Sequence, residues 1–171
     1  MKTVPVAIVG FMGCGKTAVA QMLAALLGRR VIDLDEHITR QHKRTPAEII
    51  NEDGEQAFRS VETSALKDLL LSDFDGVLSI GGGGWIDPTN RRLLADTGAI
   101  TIWLDTPFEV CWQRIESGSE VRPMAPTKGM AKTLFEERKP VYQTALIRIA
   151  TRPEETLESL VARVAGALKA M

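Results

Sequence analysis

Short apolar runs that alternate with helical patterns predict a single α/β domain, doubly wound on a parallel sheet of five strands. Three observations carry that prediction. Compact apolar runs fall at 4–9, 31–32, 77–80, 99–104 and 147–150, and a helix-period stretch follows each. The stretch Gly10-Phe11-Met12-Gly13-Cys14-Gly15-Lys16-Thr17 matches G-x-x-x-x-G-K-[ST] at every fixed position and joins the first run to the first helix. A length of 171 residues, 44% of them hydrophobic and 25% charged, suffices for one sizeable core and is too short for two ordinary domains.

The glycine stretch organises the rest. Glycines at 10, 13 and 15 allow the backbone to approach a ligand closely, so that successive N–H groups converge on a phosphate at the positive end of the helix 18–27. Lys16 adds a movable charge for the outer phosphates, and the Thr17 hydroxyl is placed to hold magnesium. Charge balance agrees with a local anion site. With 21 basic and 22 acidic residues the net charge is −1, which excludes a global field for nucleic acid or anionic membrane. Cys14 and Cys111 are too few for a disulfide framework and read as reduced thiols of a cytoplasmic protein. The start, Met1-Lys2 and an apolar stretch, resembles a signal peptide only superficially, because Lys16 and the phosphate loop interrupt it. No apolar run approaches the roughly 20 residues that span a bilayer, and a soluble monomer is the default expectation.

Further along, Val31-Ile32 runs into Asp33-Leu34-Asp35. If the strand continues, alternation points both aspartates to one side at its C-terminal end, where open α/β sheets bind ligands. The pair then suits a magnesium partner and a base for a hydroxyl; the competing reading is a solvated turn or helix N-cap. A short polar helix follows at 36–42, and Thr45-Pro46-Ala47-Glu48 is a capping box that starts another, ending near Asp53-Gly54. His37 and His42 lack metal-ligand spacing and read as surface residues. The helix 55–71 carries Phe58, Val61, Ala65, Leu66, Leu69 and Leu70 at core spacing, with Arg59 beside the stripe and Glu62 one turn on, where it can orient the guanidinium.

The strand 77–80 ends in Gly81-Gly82-Gly83-Gly84, which a close approach of backbone to ligand explains better than a flexible linker. Trp85 either walls a pocket or packs under that loop, while Trp103 and Trp112 read as core or core edge. Asp87-Pro88 opens a helix that Gly98 closes. After the strand 99–104, Thr106-Pro107-Phe108-Glu109 reads as a second capping box with a helix to about 115. Residues 116–128 lose all pattern, and a dozen structureless residues inside a compact domain read as a lid. Helical periodicity returns at 130–138, breaks at Pro140 and resumes to 146. A last strand at 147–150 leads through Arg152-Pro153 to an amphipathic helix at 154–169.

These residues favour an ATP-dependent phosphotransferase with a small acceptor over a molecular-machine ATPase, since the third strand ends in glycines and lacks a Walker B acid. Two arginines suit bidentate grip of a carboxylate, so a carboxylated polyol fits Asp35, Arg59, the glycines and Arg138. In the order Gly10 to Thr17, Asp33-Leu34-Asp35, Gly54-Glu55-Gln56-Ala57-Phe58-Arg59, Gly81-Gly82-Gly83, Val121-Arg122-Pro123 and Glu137-Arg138-Lys139-Pro140-Val141-Tyr142, the chain resembles the shikimate kinase family almost end to end.

That resemblance implies a fold of the nucleoside monophosphate kinase type, one domain over 1–171 with strand order 2-3-1-4-5, a substrate-binding subdomain at about 33–62 and a lid at about 116–128. It implies transfer of the ATP γ-phosphate, with Mg²⁺, to the 3-hydroxyl of shikimate. Asp35 would bind the acceptor hydroxyls and take the proton, and Asp33 with Thr17 would hold magnesium. Arg59 and Arg138 would clamp the carboxylate, with Gly82 and Gly83 offering N–H groups to the ring hydroxyls. Gly13, Cys14, Gly15, Lys16, Thr17 and Ala18 would cradle the phosphates, Arg122 would close onto the transferring group, and Arg114 and Arg152 would border the adenine. The sequence departs from the family pattern at 150–153, at Gly84-Trp85 and at Cys14. The rival readings are a kinase for quinate or gluconate and a non-catalytic ligand sensor, which would be expected to lose Lys16, Asp35 or a clamp arginine.

Overall fold

Strand β1 (Val6–Val9) is apolar at every position because both of its faces are covered, and all four residues are buried. It lies at the centre of the sheet. Val6 aligns with Val77 of β3 (Val77–Ser79) on one side and with Ile100 of β4 (Ile100–Asp105) on the other. Strand β2 (Val31–Asp33) adds to β3 and β5 (Ile147–Ala150) adds to β4, giving five parallel strands in the order β2-β3-β1-β4-β5. This computed structural model describes residues 4–118 and 124–171.

The order brings the C-terminal ends of β1, β2 and β3 together, and each opens into a helix or a glycine turn. The helices are α1 (Lys16–Leu27), α2 (Leu34–His42), α3 (Pro46–Asp53), α4 (Glu55–Leu71), α5 (Pro88–Asp96), α6 (Phe108–Ser117), α7 (Lys128–Tyr142) and α8 (Leu157–Lys169). Helix α1 packs against α8, and α4 against α2, α3 and α5. Phe58, Ala65, Leu66, Leu69 and Leu70 of α4 are buried, as the stripe requires, but Val61 is only half-buried and Glu62 occupies the core-facing slot beside it. Helix α3 starts with the expected capping box: Thr45 accepts from the Glu48 N–H, and Glu48 accepts from the Thr45 N–H.

The boundaries of α6, α7 and α8 differ from the sequence expectation, and α2 starts at Leu34 where the sequence predicts 36. Thr106 does not cap α6; its hydroxyl donates instead to the Cys14 carbonyl at 3.3 Å and pairs with the Thr151 hydroxyl at 3.1 Å, so the competing tertiary bonds win. Pro140 does not break α7, which runs through to Tyr142. A proline this close to the C-terminus removes one hydrogen bond and leaves the turns before it intact. Helix α8 begins at Leu157 and not at 154, because Thr156 caps it by accepting from the Ser159 N–H. Among the described residues, no helix is long and apolar enough to cross a membrane.

Candidate active site

The loop from β1 to α1 turns through Gly13 at φ 75° and Gly15 at φ 99°, both in the left-handed region that side chains disfavour. Gly13 is also pinned by space, since a β-carbon there would lie 2.6 Å from the Cys111 carbonyl oxygen. Gly15 is the N-cap of α1 and supplies no side chain, so Lys16, Thr17 and Ala18 begin the helix with backbone donors that an anion can satisfy. Lys16 Nζ donates to the Phe11 carbonyl at 2.8 Å and to Cys14 Sγ at 3.8 Å. The Cys14 side chain is buried beneath Gly10, which leaves this residue its backbone for a phosphate. Burial pushes the neighbouring Cys111 thiol up to about 12, which keeps it protonated and inert.

Thr17 Oγ1 donates to Asp33 Oδ2 at 2.7 Å and lies 3.5 Å from Ser79 Oγ. Three hard oxygens from α1, β2 and β3 thus meet beside the first turn of α1. Such a donor set fits a magnesium ion, which takes oxygen ligands and keeps several waters or phosphate oxygens. Among the described residues no three His, Cys, Asp or Glu side chains gather into a cage of their own. Asp33 uses its other oxygen to cap α2, accepting from the Asp35 and Glu36 N–H groups at 3.1 and 3.3 Å.

That cap corrects the strand-alternation argument. Strand β2 ends at Asp33, and Asp35 sits in the first turn of α2. The two carboxylates therefore separate by role as well as by element: Asp33 turns toward Thr17, while Asp35 turns toward Gly81, where a β-carbon would lie 3.3 Å from Asp35 Oδ1. Asp35 lines a cleft that is partly open to solvent, together with Arg59, Glu62, Gly81, Gly82, Gly83 and Arg138.

The glycine wall is shaped by what presses on it from behind and in front. The Arg59 guanidinium lies so closely against Gly83 that a β-carbon there would have to displace it. Gly84 turns away from the cleft and toward Glu62, whose Oε1 would be 2.8 Å from a β-carbon at that position. Arg59 is held by Glu62 at 2.7 Å and by Glu55 at 3.3 Å. Arg138 is 8% exposed, so its charge is directed inward by burial. Trp85 packs under the loop and is absent from the cleft lining, its indole N–H donating to the Val141 carbonyl at 3.1 Å.

On the opposite side of the phosphate loop, exposed Arg114 on α6 donates to the Gly13 carbonyl at 3.1 Å. Arg152 is exposed just beyond β5, and Thr151 before it joins the hydroxyl chain through Thr106 to the Cys14 carbonyl. Arg122 lies outside the described residues, as does the whole of the stretch Val121-Arg122-Pro123 around it. Helices α6 and α7 reach to Ser117 and Lys128, so regular structure occupies both ends of the expected lid segment.

Ser79, Thr106 and Tyr142 were not singled out by the sequence reading as site residues. Ser79 had a usable signal: it is the polar residue in the apolar run 77–80, next to the glycines. For Thr106 and Tyr142 the role is set by partners 92 and 60 residues away in the chain, although Tyr142 closes the stretch Glu137 to Tyr142 that carries the resemblance.

A family model for shikimate kinase matches residues 12–169. The shikimate kinase of Persephonella marina is 36% identical over 160 residues, covering 92% of this chain and 96% of that protein. That of Cereibacter sphaeroides is 39% identical over 166 residues, covering 95% and 81%. Among solved structures, shikimate kinase from Acinetobacter baumannii in complex with shikimate superposes with a TM-score of 0.90 at 31% identity, over 98% of this chain and 94% of that one.

Proposed function

The chain belongs to the shikimate kinase family, and from that premise we infer that it transfers the γ-phosphate of ATP to the 3-hydroxyl of shikimate, giving shikimate 3-phosphate and ADP. One observation carries the assignment of roles. Arg59 and Arg138 border the same cleft as Asp35, along a wall of Gly81, Gly82 and Gly83 that contributes only backbone. A planar carboxylate suits the arginine end, and a ring hydroxyl suits the aspartate end.

In this reading the N–H groups of the first turn of α1 and the Lys16 ammonium grip the phosphates, while Gly82 and Gly83 orient the acceptor ring. Thr17 and Asp33 hold magnesium, whose charge, when it is bound, offsets that of the phosphate oxygens during transfer. The acceptor oxygen forms its bond to the γ-phosphorus as the bond from phosphorus to the β,γ-bridging oxygen breaks. The hydroxyl proton passes to the Asp35 carboxylate. Because the transition state is loose, the proton need leave only late, and positioning with charge stabilisation supplies most of the acceleration. Arg114 and Arg152 border the adenine, and Thr151 links that edge to the phosphate loop through Thr106.

The net charge of −1 and the absence of a long apolar helix among the described residues support a cytoplasmic enzyme with a small-molecule partner. We assign it as a monomer without nucleic-acid or membrane partners. Residues 33–62 contribute the acceptor side of one catalytic domain, with Asp35 and Arg59 both inside that span. The test is ADP release from Mg·ATP with shikimate, quinate or gluconate as sole acceptor. Turnover confined to shikimate is expected, and turnover with quinate or gluconate in its place would overturn the acceptor assignment.

A further inference from the structure

Tyr142 is the chain's single tyrosine, and the mechanism above gives it no role. It ends α7, four residues after Arg138, so the two side chains rise from one face of the helix. Its side chain is 1% exposed, and its hydroxyl donates to the Gly82 carbonyl at 2.8 Å. The Arg138 guanidinium is a neighbour of the same hydroxyl and acts on it electrostatically. Geometry around Gly82 agrees: a β-carbon there would lie 3.0 Å from the Tyr142 hydroxyl and 3.5 Å from Arg138 Nη1. The phenol ring has little freedom to swing away, because the Trp103 indole stacks on it at 6.3 Å with 20° between planes.

We propose that Tyr142 is a positioning residue for the acceptor: its hydroxyl donates to the Gly82 carbonyl beside the Arg138 guanidinium, fixing the carboxylate clamp and the glycine wall relative to each other. The inference rests on the functional reading given above. Its physical basis is the planar peptide. The carbonyl of Gly82 and the N–H of Gly83 belong to one trans unit and point in opposite directions, so a bond that holds the carbonyl from behind aims the N–H forward. The same hydroxyl leaves the Arg138 guanidinium with fewer orientations to lose when it meets a carboxylate. A second link reinforces the arrangement, since Trp85 at the end of the glycine run donates to the Val141 carbonyl in the last turn of α7. The wall and the arginine helix are thereby tied at two adjacent points.

Tyr142→Phe keeps the stacked ring and deletes only the hydroxyl. The expected result is a shikimate KM raised about tenfold, the effect of leaving one buried carbonyl without its donor, with kcat and the ATP KM within about twofold of wild type. In an Arg138→Ala background the same substitution is expected to add much less than its full effect, because the two residues act together. A shikimate KM within about twofold of wild type, an ATP KM rising in step, or full multiplicative effects in the double variant would each overturn the proposal. An independent readout avoids any variant: 3-fluorotyrosine incorporation places one ¹⁹F probe at position 142. Its resonance is expected to shift on saturation with shikimate and to stay in place with ADP alone; a resonance indifferent to shikimate argues against coupling. Absence of shikimate turnover by the wild-type enzyme is a different outcome, and it removes the functional reading and this inference with it.

Discussion

Glu62 makes the sharpest quantitative prediction, because it is an acid in the slot of a core residue. It is 1% exposed, Oε2 takes the Arg59 guanidinium at 2.7 Å, and Oε1 has no hydrogen-bond partner among the described residues. Burial is the main force raising its pKa. Arg59 pulls it back, Asp35 pushes it further up, Arg138 pulls down, and the balance is about 7 against an ordinary 4.5. Between those two values the unfolded chain has released a proton that the folded chain still holds. Stability is therefore fully present below pH 4.5, falls as pH rises through the window, and levels off above about 7. At about 1.36 kcal/mol per pH unit, the whole fall is about 3 kcal/mol. For a typical urea m of about 2 kcal/mol/M, that moves the midpoint by about 1.5 M. Urea unfolding of the wild type and of Glu62→Gln from pH 4.5 to 8 isolates this residue, since all other titrations are common to both. The wild-type midpoint is expected to fall relative to the variant as pH rises, and parallel curves would refute the reasoning.

The remaining predictions concern the chemistry and the wall of the cleft. Asp35→Asn should lower kcat at least about 100-fold while leaving the ATP KM close to wild type, and near-normal turnover would remove Asp35 as the base. Arg59→Ala and Arg138→Ala should each raise the shikimate KM about 10- to 100-fold, by loss of a charge-assisted contact; an unchanged KM in both variants would sink the clamp. Gly84→Ala should destabilise by about 2 kcal/mol, because its β-carbon would meet Glu62 Oε1 and Ile80 Cγ2 at 2.8 Å. Thermal unfolding reads this directly, and an unshifted midpoint would show that the Glu62 carboxylate gives way.

Sequence legibility followed the range of the interaction. The phosphate loop, the Thr45 capping box and helix α4 were readable because their determinants lie within a few residues of each other. The strand order came from the resemblance, and the structure has it. The orienting of Arg59 by Glu62 was visible from their three-residue spacing, whereas the burial of Glu62 was not. That burial depends on Gly84, on a different element 22 positions later. The fourth glycine, where the sequence departs from the family pattern, makes room for that carboxylate behind the wall. Asp35 was expected on a strand because Val31-Ile32-Asp33 has the right alternation, but Asp33 stops the strand by capping α2. Thr106 had the sequence of a cap, yet Cys14 and Thr151 offered its hydroxyl better-placed partners that only the folded sheet brings near. A pattern confined to one element is legible; one that borrows a partner from another element is not.

The ammonium of Lys16 has a bearing on how any inactive reference enzyme should be made. It and the Cys14 N–H are both donors to the Phe11 carbonyl, at 2.8 and 3.2 Å, so the side chain also splints the curve of its own loop. Replacing it with methionine would remove the phosphate charge and, in the same stroke, one of the splint's two bonds, worth about 0.5–1.5 kcal/mol. Nucleotide affinity lost in such a variant would mix two causes, a missing charge and a relaxed loop. A dead enzyme built at Asp35 leaves the loop's own bracing untouched, and is the cleaner background against which to weigh nucleotide binding.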